Sequence, residues 1–359
     1  MAIKLSHSTL SQILTCPMSF YLNKIEGISL AKPKAALQIG SNVHWGIEHG
    51  TCDLTELFGE NAAYGRDELL AESMVYGYLK HKDELFNEIL TLENGERLEL
   101  LDEMHEVFVT GKLNSSRYTE PHEFIGIIDL LLLTNKGFIV IDYKTSSQEP
   151  DWSKYLDQIY RYIFLLKSEF PDTPIVKIGI INLRKTQIRQ KKNENEEQFL
   201  NRLKFEYELN DENYINYHEY LPETLDERLI SDYINNLAKM CDLARSIQDN
   251  KMYFINYGNA WGQYGKSDYY DIFYHTPDAY VLYNIKDEIL QDSEVLTSRP
   301  CVPIDMEVIE KDNVMNHYSK YKLEAEKYIG DNFEGYLRNK YVTDESLLKR
   351  YANNFKNNL

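Results

Sequence analysis

The fold of this chain is decided by one stretch, Phe124-Ile125-Gly126-Ile127-Ile128-Asp129-Leu130-Leu131-Leu132-Leu133-Thr134-Asn135-Lys136-Gly137-Phe138-Ile139-Val140-Ile141-Asp142-Tyr143-Lys144-Thr145. Two apolar runs flank a turn tripeptide, so the stretch predicts a β-hairpin whose strands are buried on both faces. Three charged residues interrupt the apolar runs: Asp129, Asp142 and Lys144. A buried carboxylate is costly unless it is paired or binds a metal. Asp142 and Lys144 are two residues apart and therefore face the same side of a strand. The pattern indicates either a functional site or a salt bridge at the end of a sheet.

The order of these charges resembles the PD-(D/E)XK nuclease superfamily, and its details resemble the RecB-like exonuclease branch, to which CRISPR-associated RecB-like nucleases are related. In that branch a Gly-x-x-Asp strand is followed by Asp-Tyr-Lys-Thr. This chain has Gly126-Ile127-Ile128-Asp129 and Asp142-Tyr143-Lys144-Thr145. The resemblance implies an α/β fold with a restriction-endonuclease-like core, in which helices flank a central mixed sheet, together with helical insertions and a C-terminal extension. It also implies that Asp129, Asp142 and Lys144 are catalytic.

Two stretches nearer the N-terminus are similar to the same branch. Residues 3–23 predict a capped helix that leads to Cys16-Pro17 and Phe20-Tyr21, as at the start of RecB-like nucleases. Gly40 and His44 then form a Gly-x-x-x-His motif at a predicted helix entry. A lone histidine is more often a satisfied core residue than a ligand, but the resemblance places His44 at the metal.

The helix predicted after the hairpin, about Trp152 to Lys167, carries Gln158 and Tyr162. These two residues are four apart and therefore adjacent on a helix surface. Tyrosines at helical spacing usually serve packing. The resemblance instead implies that this Gln-x-x-x-Tyr pair positions the DNA backbone and Lys144.

A basic segment follows the next predicted strand, Ile175 to Leu183. Arg184-Lys185-Thr186-Gln187-Ile188-Arg189-Gln190-Lys191-Lys192 contains five basic residues and no acid. It is either a solvated loop or a phosphate contact, for which Arg184, Lys185 and Arg189 are the candidates.

The composition is that of a globular protein, with 359 residues, 43% of them hydrophobic, and a net charge of -18. That charge is unfavourable for nucleic-acid binding, although a local basic groove can still bind phosphate. No apolar run approaches the roughly 20 residues that span a bilayer, and no signal peptide is recognisable. We therefore expect a cytoplasmic protein without a membrane partner. Four scattered cysteines without a CxxC pair argue against a zinc site and a disulfide framework.

The domain prediction is one nuclease domain over residues 1–275, with a helical insertion at about 51–110, followed by a mostly helical extension over residues 276–359. Within the insertion, Glu99, Glu103 and Glu106 are either candidates for a further metal-site acid or the solvated face of a helix. Residues 193–230 are acidic and asparagine-rich and predict a surface excursion, with a helix after them at about 231–249.

The chemistry expected of this set is metal-assisted hydrolysis of phosphodiester bonds. Asp129, Asp142 and the carbonyl of Tyr143 are the predicted Mg²⁺ ligands, and an imidazole ligand from His44 would favour Mn²⁺. Lys144 would orient the attacking water or stabilise charge that develops at the phosphate. Relatives carry an iron–sulfur motif near the position of residues 256–273, but this stretch has no cysteine, so we expect no such cluster.

The resemblance implies a metal-dependent DNA exonuclease in replication, recombination or repair, and the richness in Asn, Lys and Tyr favours a phage or low-GC bacterial source. A structure-selective endonuclease of the same superfamily and a non-catalytic protein-binding member remain alternatives. DNA is the expected partner, with a helicase or another replication or recombination protein as a candidate second partner.

Overall fold

The computed structural model describes residues 4–27, 29–30, 35–58, 65–148, 150–220, 225–256, 258, 261–262, 265–266, 269 and 341–342. The chain divides into two compact units, residues 1–10 with 33–245 and residues 11–32 with 246–359. The predicted extension over residues 276–359 lies almost entirely outside the described residues, and the boundary near residue 275 stays a prediction. In the described part, no helix combines the length and apolarity needed to cross a membrane.

The α-helices of the described part are α1 (His7–Thr15), α2 (Pro17–Phe20), α3 (Ala35–Glu48), α4 (Thr55–Phe58), α5 (Arg66–Ile89), α6 (Leu156–Glu169), α7 (Glu196–Leu209), α8 (Asp211–Tyr214) and α9 (Glu227–Asp249). A π-helical turn (Tyr21–Ile25) follows α2, and a 3₁₀ turn (Trp152–Tyr155) precedes α6. Short antiparallel pairs join β1 (Ser29–Leu30) to β9 (Tyr341–Val342) and β7 (Trp261–Gly262) to β8 (Gly265–Lys266).

The central sheet has five strands in the order β2 (Leu100–Leu113), β3 (His122–Thr134), β4 (Gly137–Ser146), β5 (Ile175–Arg184) and β6 (Ile215–Glu219). β4 and β5 are parallel, and the other neighbouring strands are antiparallel. This mixed sheet flanked by helices confirms the predicted fold class.

The β3–β4 hairpin turns at Asn135 and Lys136, with Thr134 opposite Gly137. Gly137 has a φ of +136°, and a Cβ atom there would lie 2.2 Å from the carbonyl oxygen of Pro174. Only glycine fits such a backbone at so close an approach. The turn tripeptide that predicted the hairpin therefore has a physical reason for its glycine.

Helices cover the two sides of β4. Ile139, Ile141 and Tyr143 are buried in a core cluster with residues of α3 and α5, including Val43 and Tyr78. Successive side chains of a strand alternate between its faces, so Asp142 projects to the opposite side. On that side it contacts α6. The hairpin thus directs its acidic residue away from this apolar cluster.

The expectation of helices throughout residues 51–110 was wrong beyond α5, which ends at Ile89. α4 and α5 lie in this range, but Leu100–Leu113 forms strand β2. Its burial alternates along its C-terminal half, with Val109, Gly111 and Leu113 buried and the residues between them exposed. A period of two belongs to a strand, and pairing with β3 satisfies the backbone of β2. The expected surface excursion at 193–230 likewise contains α7 and β6.

Candidate active site

The candidate site begins where the hairpin ladder ends. The β3–β4 pairing runs only as far as Leu130 opposite Ile141, so the next opposed residues are Asp129 and Asp142. Beyond that point the Asp129 side chain replaces a backbone carbonyl as hydrogen-bond acceptor, because its Oδ2 accepts a 2.8 Å hydrogen bond from the Tyr143 backbone N–H. Both predicted acids therefore lie at one splayed end of the hairpin.

His44 and Glu106 complete the acidic cluster from two other elements. His44, on α3, has its Nδ1 3.8 Å from Asp129 Oδ2 and 3.8 Å from Glu106 Oε1. Glu106 lies on β2 between His105 and Val107, whose register partners on β3 flank Asp129. One donor atom from each of His44, Glu106 and Asp129 lies within 4.8 Å of the others.

Glu106 has an unusual backbone. Its φ is +48°, and Lys251 is the only other non-glycine residue with a positive φ in the described part of the chain. Left-handed backbone at a non-glycine residue costs roughly 1–2 kcal/mol. Strain of this kind clusters at functional sites, where it aims a side chain that regular geometry would direct elsewhere. Of the three glutamates considered from the sequence, Glu106 is the one that joins the cluster.

Asp142 lies under the ammonium of Lys144 and the polar side chains of α6. Only 1% of its side chain is exposed, and its Oδ2 forms an ion pair with Lys144 Nζ. Its Oδ1 accepts hydrogen bonds from Gln158 Nε2 at 2.9 Å and from the Tyr162 hydroxyl at 3.2 Å. Gln158 Oε1 in turn accepts a 3.1 Å hydrogen bond from Lys144 Nζ. One glutamine amide thus connects the carboxylate with the ammonium.

The electrostatics of the cluster follow from burial and crowding. Burial, together with the charge of Asp142, raises the pKa of Asp129 to about 7. Burial alone would lower the pKa of His44, but its hydrogen bond to Glu106 and the charges of Asp129 and Asp142 raise it. The cluster therefore concentrates negative charge that a cation can neutralise.

Comparison with protein families matches residues 4–252 to the PD-(D/E)XK nuclease superfamily. The chain belongs to this superfamily. Its members hydrolyse phosphodiester bonds and generally use divalent metals. No curated protein sequence matches the chain significantly.

Two solved structures are similar to this PD-(D/E)XK chain at low identity. One is from Eubacterium rectale and is described as a "putative exonuclease", with 13% identity, a TM-score of 0.42 and coverage of 68% of this chain and 82% of its own. The other is SSO0001, with 14% identity, a TM-score of 0.25 and coverage of 67% and 83%.

The donor set of this PD-(D/E)XK chain fits a divalent cation. Carboxylate oxygens suit Mg²⁺ and Mn²⁺, and an imidazole nitrogen suits Mn²⁺ better. Asp142 Oδ2 is buried and, apart from the Lys144 ion pair, accepts no well-directed hydrogen bond. A buried carboxylate oxygen that accepts no well-directed hydrogen bond still has lone pairs free to bind a metal ion. His44, Glu106, Asp129 and Asp142 could therefore hold the metal.

The Tyr143 side chain contributes no atom to this donor set. Its hydroxyl shares a 2.9 Å hydrogen bond with Tyr78, and its buried ring packs edge-on against His44. Its backbone N–H donates to Asp129, and the N–H and C=O of one strand residue point to the same edge. The Tyr143 carbonyl therefore faces the splayed end of the hairpin, as a ligand must.

The three basic candidates lie at and beyond the end of β5. Arg184 is the register partner of Ser146, two residues past Lys144, and the Lys185 backbone N–H donates to the Ser146 carbonyl. Burial lowers the pKa of Lys185, while Arg189 is exposed. Arg184 is therefore adjacent to the candidate site in strand register, and none of the three residues is part of the donor cluster.

Proposed function

We propose that this chain is a divalent-metal-dependent deoxyribonuclease of the RecB-like branch that degrades DNA from its ends. One observation carries the proposal: His44, Glu106 and Asp129, from three separate elements, bring their donor atoms within 4.8 Å of one another beside the Asp142–Lys144 pair. A solvated salt bridge would need neither the histidine nor the third acid.

His44, Glu106, Asp129, Asp142 and the Tyr143 carbonyl are the proposed ligands. A bound Mg²⁺ or Mn²⁺ would activate a water and neutralise charge on the scissile phosphate. The histidine in the set favours Mn²⁺. No iron–sulfur ligand set is part of the proposal.

Lys144 is proposed to stabilise negative charge at the phosphate, a contribution of about 3 kcal/mol or roughly a hundredfold in rate. Its ammonium is held by Gln158 and Asp142, so it has little freedom to leave the site. Gln158 and Tyr162 act as positioning residues, because both donate to the buried carboxylate of Asp142. Their contact with the DNA backbone stays a prediction.

Arg184, Lys185 and Arg189 are proposed phosphate contacts beside the site. The exonuclease mode, a role in replication, recombination or repair, a helicase partner and the cytoplasmic location also stay predictions. A structure-selective endonuclease with the same residues is the competing mode, and the substrates below distinguish the two.

The test is cleavage of end-labelled linear and closed-circular DNA with Mg²⁺, Mn²⁺ or chelator. Asp142→Asn and Lys144→Ala are compared with two exposed control substitutions, Asp172→Asn and Lys136→Ala. Circular dichroism checks that each variant is folded.

We expect metal-dependent loss of linear DNA that both site variants lose by at least about a hundredfold, while both controls retain it. Survival of the circles supports the exonuclease mode, and their cleavage supports the endonuclease. A folded wild-type protein that cleaves nothing with either metal would refute the proposal and favour a non-catalytic binding protein.

A further inference from the structure

Two large apolar side chains are exposed next to the candidate metal cluster. Phe108 on β2 is 56% exposed and Ile127 on β3 is 50% exposed. They are register partners, so their side chains lie side by side on one surface. Together they form a small contiguous apolar surface, a feature that marks an interaction site when it continues into a ligand-sized groove.

Both residues are tied to the cluster by strand geometry. Ile127 precedes Asp129 by two residues and faces the same side of β3, and Phe108 follows Glu106 by two residues on β2. Two residues along a strand span roughly 7 Å. The apolar pair therefore begins about one nucleotide's length from the acids that would hold the metal.

A groove of about 360 Å³ continues from this pair to α6. Its lining includes Phe108, Phe124 and Ile127 of the sheet together with Gln158, Tyr162 and Leu165 of α6. Gln158 and Tyr162 are also the side chains that hydrogen-bond to Asp142. The groove and the candidate active site thus share a wall.

The charges around the groove do not suit a phosphate. Arg161 lines it, but only 3% of its side chain is exposed. Its guanidinium already binds the Asp157 carboxylate, the Tyr233 hydroxyl and the His7 carbonyl. A neutral, flat and largely apolar ligand fits these surroundings better than an anion.

We propose that Phe108 and Ile127 form a stacking platform for an unpaired nucleobase next to the scissile phosphate, so that the substrate is DNA with an unpaired nucleotide at the cleavage site. This inference rests on the proposed nuclease function. Every base offers a π-face to an aromatic ring, and such stacking is independent of sequence. A base within a duplex is already stacked on its neighbours, so only an unpaired nucleotide presents its face to Phe108.

The test measures binding separately from cleavage. A short single-stranded oligonucleotide with 2-aminopurine at its terminus is titrated in chelator and in Ca²⁺, with fluorescence quenching as the stacking signal. The variants are Phe108→Ala, Phe108→Trp and the control Phe205→Ala. Phe205 is matched because it is a 59% exposed phenylalanine on α7, outside the groove. A blunt duplex serves as the second ligand.

We expect Phe108→Ala to abolish the quenching and to weaken single-strand binding roughly 5- to 150-fold, the range for loss of one base–aromatic stack. Phe108→Trp retains both signals, and Phe205→Ala matches wild type. Unchanged single-strand binding in Phe108→Ala would overturn the platform, as would an equal loss for blunt duplex. A change in oligomeric state on gel filtration would also overturn it, because the face would then belong to a protein interface.

The outcome for the nuclease is read independently. Quenching that depends on Phe108, in a wild-type protein that cleaves no DNA with Mg²⁺ or Mn²⁺, would refute the proposed function and leave the platform standing. If the wild-type protein cleaves DNA but Phe108→Ala does not change single-strand binding, the proposed nuclease function is supported and the stacking platform is overturned.

Discussion

Replacing Glu106 with glycine and with alanine separates its backbone strain from its chemistry. Both substitutions remove the carboxylate, so they differ only in how the backbone tolerates its φ of +48°. Lys112, an exposed residue of the same strand with no positive φ, provides the matched control.

The magnitudes follow from the two backbone terms. Glycine in a strand is normally about 0.5–1 kcal/mol less stable than alanine, because the unfolded glycine chain has more freedom to lose. A left-handed backbone costs alanine roughly 1–2 kcal/mol that glycine avoids. At Glu106 the glycine variant should therefore be as stable as the alanine variant or more stable, by up to about 1.5 kcal/mol. At Lys112 the glycine variant should be less stable than the alanine variant by about 0.5–1 kcal/mol.

Urea denaturation of the four variants measures both differences, and DNA cleavage measures the chemistry. We expect Glu106→Ala and Glu106→Gly to lose activity equally, about a hundredfold, as a lost metal-site carboxylate would. If the glycine variant is less stable at both positions, the backbone at Glu106 is not strained. If either Glu106 variant keeps full activity, Glu106 lies outside the catalytic set.

Three further predictions concern the supports of the site and the fold. Gln158→Leu should lower kcat about tenfold or more with little change in KM, since the amide holds a carboxylate and an ammonium rather than the substrate; equal changes in both constants would contradict this. Asp242→Asn should reduce the free energy of unfolding by about 3 kcal/mol at pH 7, because the buried carboxylate accepts hydrogen bonds from His122 and two serines. Those bonds lower the pKa of Asp242. The difference in unfolding free energy between wild type and Asp242→Asn is therefore complete above about pH 4 and shrinks at lower pH. A stability difference that is the same at every pH would refute this explanation. Gly137→Ala should lower Tm by far more than Gly95→Ala, because a Cβ atom meets a carbonyl at 2.2 Å in the first case and nothing within 4 Å in the second.

The sequence was most informative where geometry is local. A strand repeats every two residues, so the spacing of Asp142 and Lys144 was sufficient to place their side chains together. The turn tripeptide likewise indicated the hairpin, and the hairpin predicted that Asp129 would lie at the same end. These predictions needed no knowledge of the rest of the chain.

Glu106 could not be selected in this way. Its segment contains several acids, and Glu99, Glu103 and Glu106 are spaced three or four residues apart, as on a helix surface. The strand becomes evident only from its pairing with β3, which is a long-range property. Its positive φ could not be predicted either, because a glutamate gives no sequence signal for a left-handed backbone.

The missed helix α7 is a different kind of error, because its signal was present. Phe199, Leu203 and Tyr207 are buried at helical spacing, and Asn195 and Gln198 form a capping box before them. The acidic and asparagine-rich composition of the segment obscured that stripe. Tyr207 also anchors the basic segment after β5, since its hydroxyl bonds the Arg184 carbonyl and the Thr186 N–H.

The net charge of -18 connects the candidate site with the proposed platform. A protein this acidic gains little from long-range attraction to phosphates, so affinity for DNA must come from contacts at short range. The metal cluster supplies one such contact only when it is loaded, because its own carboxylates repel the backbone. Stacking on Phe108 would involve no net charge, so salt would not screen that contact as it screens contacts between charged groups. A nuclease of this net charge that binds an unpaired base beside its metal would therefore gain affinity for DNA without relying on long-range attraction, and only where such a base is available.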